Sequence, residues 1–420
     1  MLNLQNLKNK KILIFIFLIN VSILFGQESQ NQISVYYGVP ENSINKKKLK
    51  IQSENSIKIS LLSNKKNIGL TYYLSKNSML LDEIFYQKKT KKNLLFKIGK
   101  FSNNDEGKLS LSSGDMIESN NALGIPRYLI EYENNYKKLN FKFSVSDGIL
   151  DKNDINIEKP FYHDKRIKLE YSGFSFSFTH NAIWGGKVTG YGKQPSDFDD
   201  YFKIFFNQGG GADAVDIDKP NRLGDVFGSW NFGYKKTIKK STFHTYHQFY
   251  FEDKSGLKLK NRMNKFDGLT GILLNYKNTK FIFERIKTSN QGGKIHPPGR
   301  DGYYWNGIYR NGWKYKGRVI GNIFILPNKN RIKINHFGLY HKLSTSSIKL
   351  FFSKGKIYNI SYNGSVPAEY EQNFSSNDFD KFKQISLSYN FYLSELNFEV
   401  TAESNSNDGY NIILKTAYSF

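Results

Sequence analysis

Apolar and polar side chains alternate along many short stretches of this chain. In Leu396–Glu403 every second residue is apolar, and the residues between them are polar or charged. The same two-residue period recurs in Lys383–Phe391 and in Phe174–Thr179. Because successive side chains of a β-strand point to opposite faces, this period predicts strands with one apolar and one polar face.

The last alternating stretch, Tyr410–Phe420, ends in an aromatic residue. One face carries Tyr410, Ile412, Leu414, Thr416, Tyr418 and Phe420, and the other carries Asn411, Lys415, Ala417 and Ser419, with Ile413 as the exception. A terminal strand of this kind is typical of bacterial outer-membrane β-barrels, in which an apolar outer face meets lipid.

The connections between the candidate strands fall into two classes, which indicates a barrel of 16 to 20 strands. Short turns alternate with long loops, as they do in outer-membrane barrels with short periplasmic turns and long outer loops. The predicted short turns are Tyr392–Ser394, Pro327–Asn330, Asn278, Lys239–Ser241, Gly173 and Asn135–Lys138. The predicted long loops are Phe101–Pro126, Gly148–Lys165, Trp184–Phe227, Asp253–Gly268, Thr288–Lys316 and Gly364–Phe382.

The N-terminal residues predict a secretory signal peptide. Lys8, Lys10 and Lys11 precede the apolar run Ile12–Ile19, and the chain turns polar after the small residue Gly26. We therefore expect residues 1–26 to be removed on export and residues 27–420 to form one barrel domain.

The amino-acid composition agrees with an outer-membrane β-barrel. Mean hydropathy is −0.54 and only 39% of residues are hydrophobic, as expected when every second strand residue faces a polar interior. Without cysteine, stability must come from the hydrogen-bonded wall and not from disulfides. The net charge of +24 suits an anionic partner, although a lysine-rich composition explains it equally well.

The loop Thr288–Lys316 carries the residues most suited to binding. Aromatic rings stack on sugar rings, and arginine binds carboxylates through two hydrogen bonds, so the loop predicts a site for an acidic saccharide. The alternative is that its aromatic residues pack the loop onto the barrel mouth. The candidate binding residues are Arg300, Asp301, Tyr303, Tyr304, Trp305, Arg310 and Trp313.

The sequence gives less support to metal binding or catalysis. The loop Trp184–Phe227 is rich in Asp, which suits Ca²⁺, but it lacks the regular spacing of a calcium loop, so a solvated loop is the preferred interpretation. No serine sequence marks a nucleophile, and no pair of histidines makes a helical metal motif. We therefore predict no enzyme activity, no catalytic residue, no metal and no cofactor.

The middle of the chain resembles the Wzi-type capsule-assembly family of outer-membrane proteins. The matching sequences are HNAIWGG (His180–Gly186), QPSDFDDYF (Gln194–Phe202), NRLGDVFGSW (Asn221–Trp230), YHQFYFEDKSG (Tyr246–Gly256), FDGLTGI (Phe266–Ile272) and DGYYWNGIYRNGWKYKGRVIG (Asp301–Gly321) after TSNQGG. The resemblance implies an all-β transmembrane antiparallel barrel of about 18 strands with an occluded lumen. It also implies a non-enzymatic lectin that fastens capsular polysaccharide to the cell surface.

Together these observations predict a protein of the bacterial outer membrane that anchors capsular polysaccharide or exopolysaccharide. Its expected partners are an acidic surface polysaccharide, outer-membrane lipid and the barrel-assembly machinery during biogenesis, but no nucleic acid. Long extracellular loops, chiefly Trp184–Phe227 and Thr288–Lys316, are expected to fill the lumen mouth. Two alternatives stay open, a porin-like channel for anionic or sugar solutes and an outer-membrane hydrolase.

Overall fold

The barrel wall has 18 antiparallel strands, as predicted. The structure, a computed structural model, describes residues 29–37, 56–63, 67–75, 78–102, 111–120, 122–211, 214, 218, 222–252, 257, 267–289, 302–359, 379–405 and 409–419. The wall strands are β1 (Ser29–Tyr37), β2 (Ser56–Ser63), β3 (Ile68–Ser75), β4 (Met79–Lys89), β5 (Leu94–Phe101), β6 (Ile125–Tyr136), β7 (Leu139–Ile149), β9 (Phe161–Tyr171), β10 (Phe174–Trp184), β13 (Asp225–Ile238), β14 (Ser241–Glu252), β15 (Gly268–Tyr276), β16 (Thr279–Lys287), β19 (Ile332–Lys342), β20 (Ser346–Tyr358), β21 (Phe379–Leu393), β22 (Leu396–Asn405) and β23 (Gly409–Ser419).

The loops carry the remaining elements. A small sheet is formed by β8 (Asn156–Glu158), β11 (Lys187–Val188) and β12 (Gly192–Lys193), and a hairpin by β17 (Lys314–Tyr315) and β18 (Arg318–Val319). A short helix, α1, spans Phe198–Phe205. Within the described residues, no helix is both long and apolar enough to cross a membrane. The predicted signal peptide, residues 1–26, lies outside the described part of the chain.

The barrel closes between its first and last strands. Each wall strand pairs with the next one along the chain, and β23 pairs with β1 in a register that places Thr416 opposite Val35. Closure leaves no strand edge unpaired, so the backbone hydrogen bonds of the wall are satisfied within it.

The predicted alternation of faces is confirmed in the last strand. Ile412, Leu414 and Tyr418 point outward and are exposed, whereas Ile413 and Ala417 point inward and are buried. The outward face is therefore the apolar one, as a lipid-facing wall requires. Phe420 lies outside the described residues.

Residues with positive φ form the tight turns at one end of the barrel. Five tight turns begin with a residue in the left-handed region, where a two-residue hairpin turn needs positive φ. These residues are Lys137 (φ 55°), Ser172 (49°), Lys239 (52°), Lys277 (50°) and Ser394 (57°). Five of the six predicted short turns are confirmed by this geometry, and the long loops lie at the opposite end.

The sixth predicted turn, Pro327–Asn330, is wrong as a barrel turn. Leu326 and Lys329 do form an isolated bridge, so the turn itself exists. It belongs to the long connection 288–331 between β16 and β19, which extends past the predicted end at Lys316. The barrel turn that follows β19 is 343–345.

Candidate functional site

Two long-loop segments fold back into the barrel and pack against its inner wall. We call segments 111–120 and 302–331 the plug. Their apolar residues join inward-facing wall residues in one buried cluster, which confirms the predicted closure of the lumen. The cluster includes Met116, Ile117, Tyr303, Tyr304, Ile308, Tyr309, Trp313, Tyr315, Ile320 and Phe324 from the plug, with Tyr162, Phe227, Tyr250 and Ile334 from the wall.

Buried aromatic residues hold the two plug segments together. The Trp313 indole N–H donates to the carbonyl oxygen of Ile117 at 2.7 Å. The Tyr304 hydroxyl donates to the carbonyl oxygen of Met116 and accepts from the Asn322 backbone N–H at 2.8 Å. Both side chains are fully buried, so their polar atoms need these partners inside the protein. Burial raises the pKa of Tyr304, which keeps its hydroxyl protonated as a donor.

A buried ionic network ties the first plug segment to the wall. The Glu118 carboxylate lies 2.6 Å from the Arg127 guanidinium on β6 and 3.0 Å from that of Arg166 on β9. Asp164 lies 2.8 Å from Arg166 and also accepts hydrogen bonds from it. Because the carboxylate of Glu118 is fully buried, its two arginine partners offset the cost of removing it from water.

A second attachment lies across the lumen on β16. Glu284 accepts a hydrogen bond from the Ser112 hydroxyl at 2.6 Å and another from the Ser113 backbone N–H at 2.7 Å. His336 on β19 lies 2.9 Å from the carbonyl oxygen of Leu111. The plug is thus fixed to opposite sides of the wall through its polar groups.

Below the plug the lumen contains a cavity of about 760 Å³. The plug residues Ser112 and Asp115 line it on one side, and Lys138 and Lys235 line it near the short turns. The cavity therefore lies between the plug and the end that faces the periplasm in outer-membrane barrels.

At the long-loop end, the plug and the β11–β12 hairpin carry exposed basic residues and one exposed tyrosine. We call Lys187, Tyr191, Lys193, Arg310 and Lys316 the basic rim; all five are exposed. The guanidinium carbon of Arg310 lies 5.4 Å from the centre of the Tyr191 ring, and its Nη2 lies 3.4 Å from the carbonyl oxygen of Thr189. A guanidinium carries five N–H donors, so these contacts orient Arg310 without using up its capacity to bind an anion.

The small sheet gives the basic rim its position. Lys187 pairs with Lys193 across the β11–β12 hairpin, and Tyr191 lies in its turn. The Thr189 hydroxyl donates to the carbonyl oxygen of Asp154 at 2.8 Å. The Lys316 N–H donates to Asp151 at 3.1 Å, which attaches the β17–β18 turn to the same loop. Burial raises the pKa of Tyr315 to about 12, so its hydroxyl stays neutral and adds no negative charge next to Lys316.

The structure separates the predicted binding residues into three groups. Tyr303, Tyr304 and Trp313 are fully buried in the plug, so their ring faces pack against protein. Trp305 is half-buried and Arg310 is exposed at the rim. Arg300 and Asp301 lie outside the described residues. A binding role for all seven stays a prediction, and the geometry favours Arg310 and Trp305 for direct contact.

Tyr191 and the lysines around it were missed by the sequence reasoning. Tyr191 stands in the glycine-flanked stretch Gly190–Gly192, between Lys187 and Lys193. An aromatic residue at the tip of a glycine-containing hairpin with basic flanks was the available signal. It was obscured by the many aspartates that follow in the same loop.

Two carboxylates of the Asp-rich loop accept hydrogen bonds that fix its backbone. The Asp200 side chain accepts from the Asp197 backbone N–H at 3.0 Å at the start of α1, and Asp218 accepts from the Gly224 N–H at 2.9 Å. In the part of the chain that the structure describes, no group of three or more His, Cys, Asp or Glu side chains could hold a metal ion.

Solved structures that are similar to this chain have very low sequence identity to it. OccK10 (OpdN) of Pseudomonas aeruginosa is 7% identical over 94% of this chain and 99% of that chain, with a TM-score of 0.47. OccK5 (OpdH) of the same organism is 10% identical over 93% of this chain and 97% of that chain, with a TM-score of 0.46. No curated protein matches the chain.

The family comparison covers the plug and the strands around it. The model of the capsule assembly protein Wzi family matches residues 112–325, which begin at the first plug segment and end in the second. This range includes the Glu118 network, the buried aromatic residues and the basic rim. The protein therefore belongs to the Wzi capsule-assembly family and is a β-barrel of the bacterial outer membrane.

Proposed function

We propose that this protein binds an acidic polysaccharide at the basic rim and so anchors capsular polysaccharide or exopolysaccharide at the cell surface. The observation that carries the proposal is the position of Arg310, exposed above a closed lumen and held against the Tyr191 ring. Guanidinium groups bind carboxylates through paired, charge-assisted hydrogen bonds, and a tyrosine ring offers a face for a sugar. The role is one of binding, without catalysis.

The plug supports binding over transport. A channel needs a continuous polar path, whereas here Tyr303, Tyr304 and Trp313 are fully buried across the interior. We expect purified protein in planar bilayers to show little steady conductance. A stable porin-like conductance would instead favour the channel alternative.

Removing Arg310 should weaken polysaccharide binding more than removing any comparable distant charge. Arg310→Ala should cost about 1.5–3 kcal/mol, the range for hydrogen bonds to charged groups, which corresponds to a loss of affinity of roughly tenfold or more. Arg310→Lys keeps the charge but loses the paired geometry, so it should bind with intermediate affinity. Binding by the wild-type protein should also weaken as salt is added, because salt screens exposed charges.

The matched control is Lys240→Ala, which removes one exposed cation at the short-turn end. The polysaccharide retained on cells should be compared between variants that are present at the surface in equal amounts. The affinity of each purified variant for the polysaccharide should be measured separately. If Arg310→Ala and Lys240→Ala both retain polysaccharide like the wild type, the basic rim is not the binding surface.

A further inference from the structure

Several polar side chains point outward from the wall, where an outer-membrane barrel normally meets lipid. On β7 and β9, Ser146, Tyr162 and Asp164 point inward and are buried. By alternation, Asp147 and His163 point outward, and their Oδ1 and Nδ1 atoms lie 2.6 Å apart. The Tyr128 hydroxyl on β6 donates to the same carboxylate at 2.9 Å. A charged group on this face of the wall is costly unless something covers it.

Helix α1 provides the cover. The Tyr201 hydroxyl donates to Asp147 at 3.1 Å, and the rings of Tyr201 and Phe205 lie 5.7 and 5.6 Å from that of His163. Ile204 packs in a buried cluster with the outward-facing residues Ala182, Trp184 and Val226 of β10 and β13. The helix therefore lies against the exterior of the barrel, near the long-loop ends of these strands. The expectation that the whole loop Trp184–Phe227 fills the mouth is wrong for this part.

A second face of α1, which continues onto the residue that follows it, is aromatic and exposed. Phe198, Phe202 and Phe206, which we call the Phe ridge, follow a four-residue spacing and are 75%, 44% and 61% exposed. The ring centres of Phe198 and Phe202 are 4.9 Å apart, and those of Phe202 and Phe206 are 6.4 Å apart. The ridge thus forms one continuous apolar strip directed away from the barrel.

We propose that α1 is an interfacial helix whose Phe ridge inserts among the acyl chains of the outer leaflet. The ridge continues the lipid-facing wall, because the outward-facing side chains of Tyr128 and Ile130 on β6 are also exposed. Phe161 and Trp184, with ring centres 5.0 Å apart, lie beside the helix at the long-loop ends of β9 and β10. Phenylalanine carries no hydrogen-bonding group, so the ridge suits acyl chains better than a hydrated sugar. A helix with one apolar face of this kind lies in the plane of the interface.

The absence of cysteine from the chain makes a direct test possible. A nitroxide label is attached to a single cysteine in otherwise wild-type protein. The three labelled variants are Phe198→Cys, Phe202→Cys and Phe206→Cys. The labelled proteins are reconstituted in vesicles of phosphatidylethanolamine and phosphatidylglycerol, and relaxation of the label by oxygen and by a water-soluble nickel chelate is measured. Leu387→Cys on the outward face of β21 is the control for lipid, and Lys193→Cys on the exposed hairpin is the control for water.

The ridge labels should be relaxed mainly by oxygen, which concentrates in the acyl region, and should match the Leu387→Cys label. Relaxation mainly by nickel, as expected at Lys193→Cys, would place the helix in water and overturn the proposal. Protection from both reagents would mean that another protein surface covers the ridge, which would also overturn it. Three positions are used so that a folding defect in one variant does not decide the result. The outcome is independent of polysaccharide binding at the basic rim.

Discussion

The plug segment 302–331 and the loop 185–224 start from the same end of the barrel and are both rich in aromatic residues, yet the plug segment lies inside the wall whereas helix α1 of the loop lies outside it. The plug segment carries Trp313 and Tyr304, whose N–H and O–H groups find carbonyl partners inside the lumen. The loop carries the Phe ridge, which has no polar atom to satisfy. Aromatic content alone does not decide the location of a loop. Buried tryptophan and tyrosine need a hydrogen-bond partner on whichever side of the wall they lie. Tyr201 of helix α1 finds one in Asp147 on the outer face, whereas the Phe ridge needs none.

The largest expected effect concerns the buried aromatic residues of the plug. Trp313→Ala removes a fully buried indole from the plug, and a change of this type costs about 3–5 kcal/mol. Local opening of the plug should become far more frequent, and limited proteolysis within residues 302–331 should accelerate accordingly. Phe202→Ala, on the exposed ridge, is the control and should leave the rate unchanged. Equal rates for the two variants would show that the plug is not held by its aromatic core.

A smaller effect is expected from the ionic attachment of the first plug segment. Glu118→Gln keeps the shape of the side chain but removes its charge between Arg127 and Arg166. Hydrogen bonds to charged groups contribute about 1.5–3 kcal/mol, and Asp164 remains near both arginines as a partial substitute.

Proteolysis of the plug should therefore accelerate less in Glu118→Gln than in Trp313→Ala. Glu158→Gln, which neutralises an exposed carboxylate on β8, provides the matched control. If Glu118→Gln were as resistant as this control, the network would not be an anchor of the plug.

Much of the wall follows from the sequence, because alternation and turn chemistry are local. Ile412, Leu414 and Tyr418 face outward as their spacing predicts, and Lys239 adopts the left-handed conformation of a tight turn where a turn was expected. The error at Pro327–Asn330 has a physical cause. A proline-containing turn looks the same whether it ends a wall strand or folds a plug.

The candidate site was harder to predict from the sequence, because it depends on which loop contacts which part of the barrel interior. The loop Thr288–Lys316 was identified as important, but the burial of Tyr303 and Trp313 depends on contacts with the distant residues Asp267 and Ile117. Helix α1 did leave a local signal. Asp197 and Asp200 have the spacing of a capping box, and Phe198, Tyr201, Phe202 and Phe205 follow a helical period.

The central claim is that this barrel holds polysaccharide at the cell surface. It is tested most directly by measuring polysaccharide on cells and in the medium for a strain that lacks the protein and for the same strain with the wild-type protein restored. We predict equal total polysaccharide in both strains, with most of it released into the medium when the protein is absent and retained on cells when it is restored. Unchanged retention in the strain that lacks the protein would contradict the account.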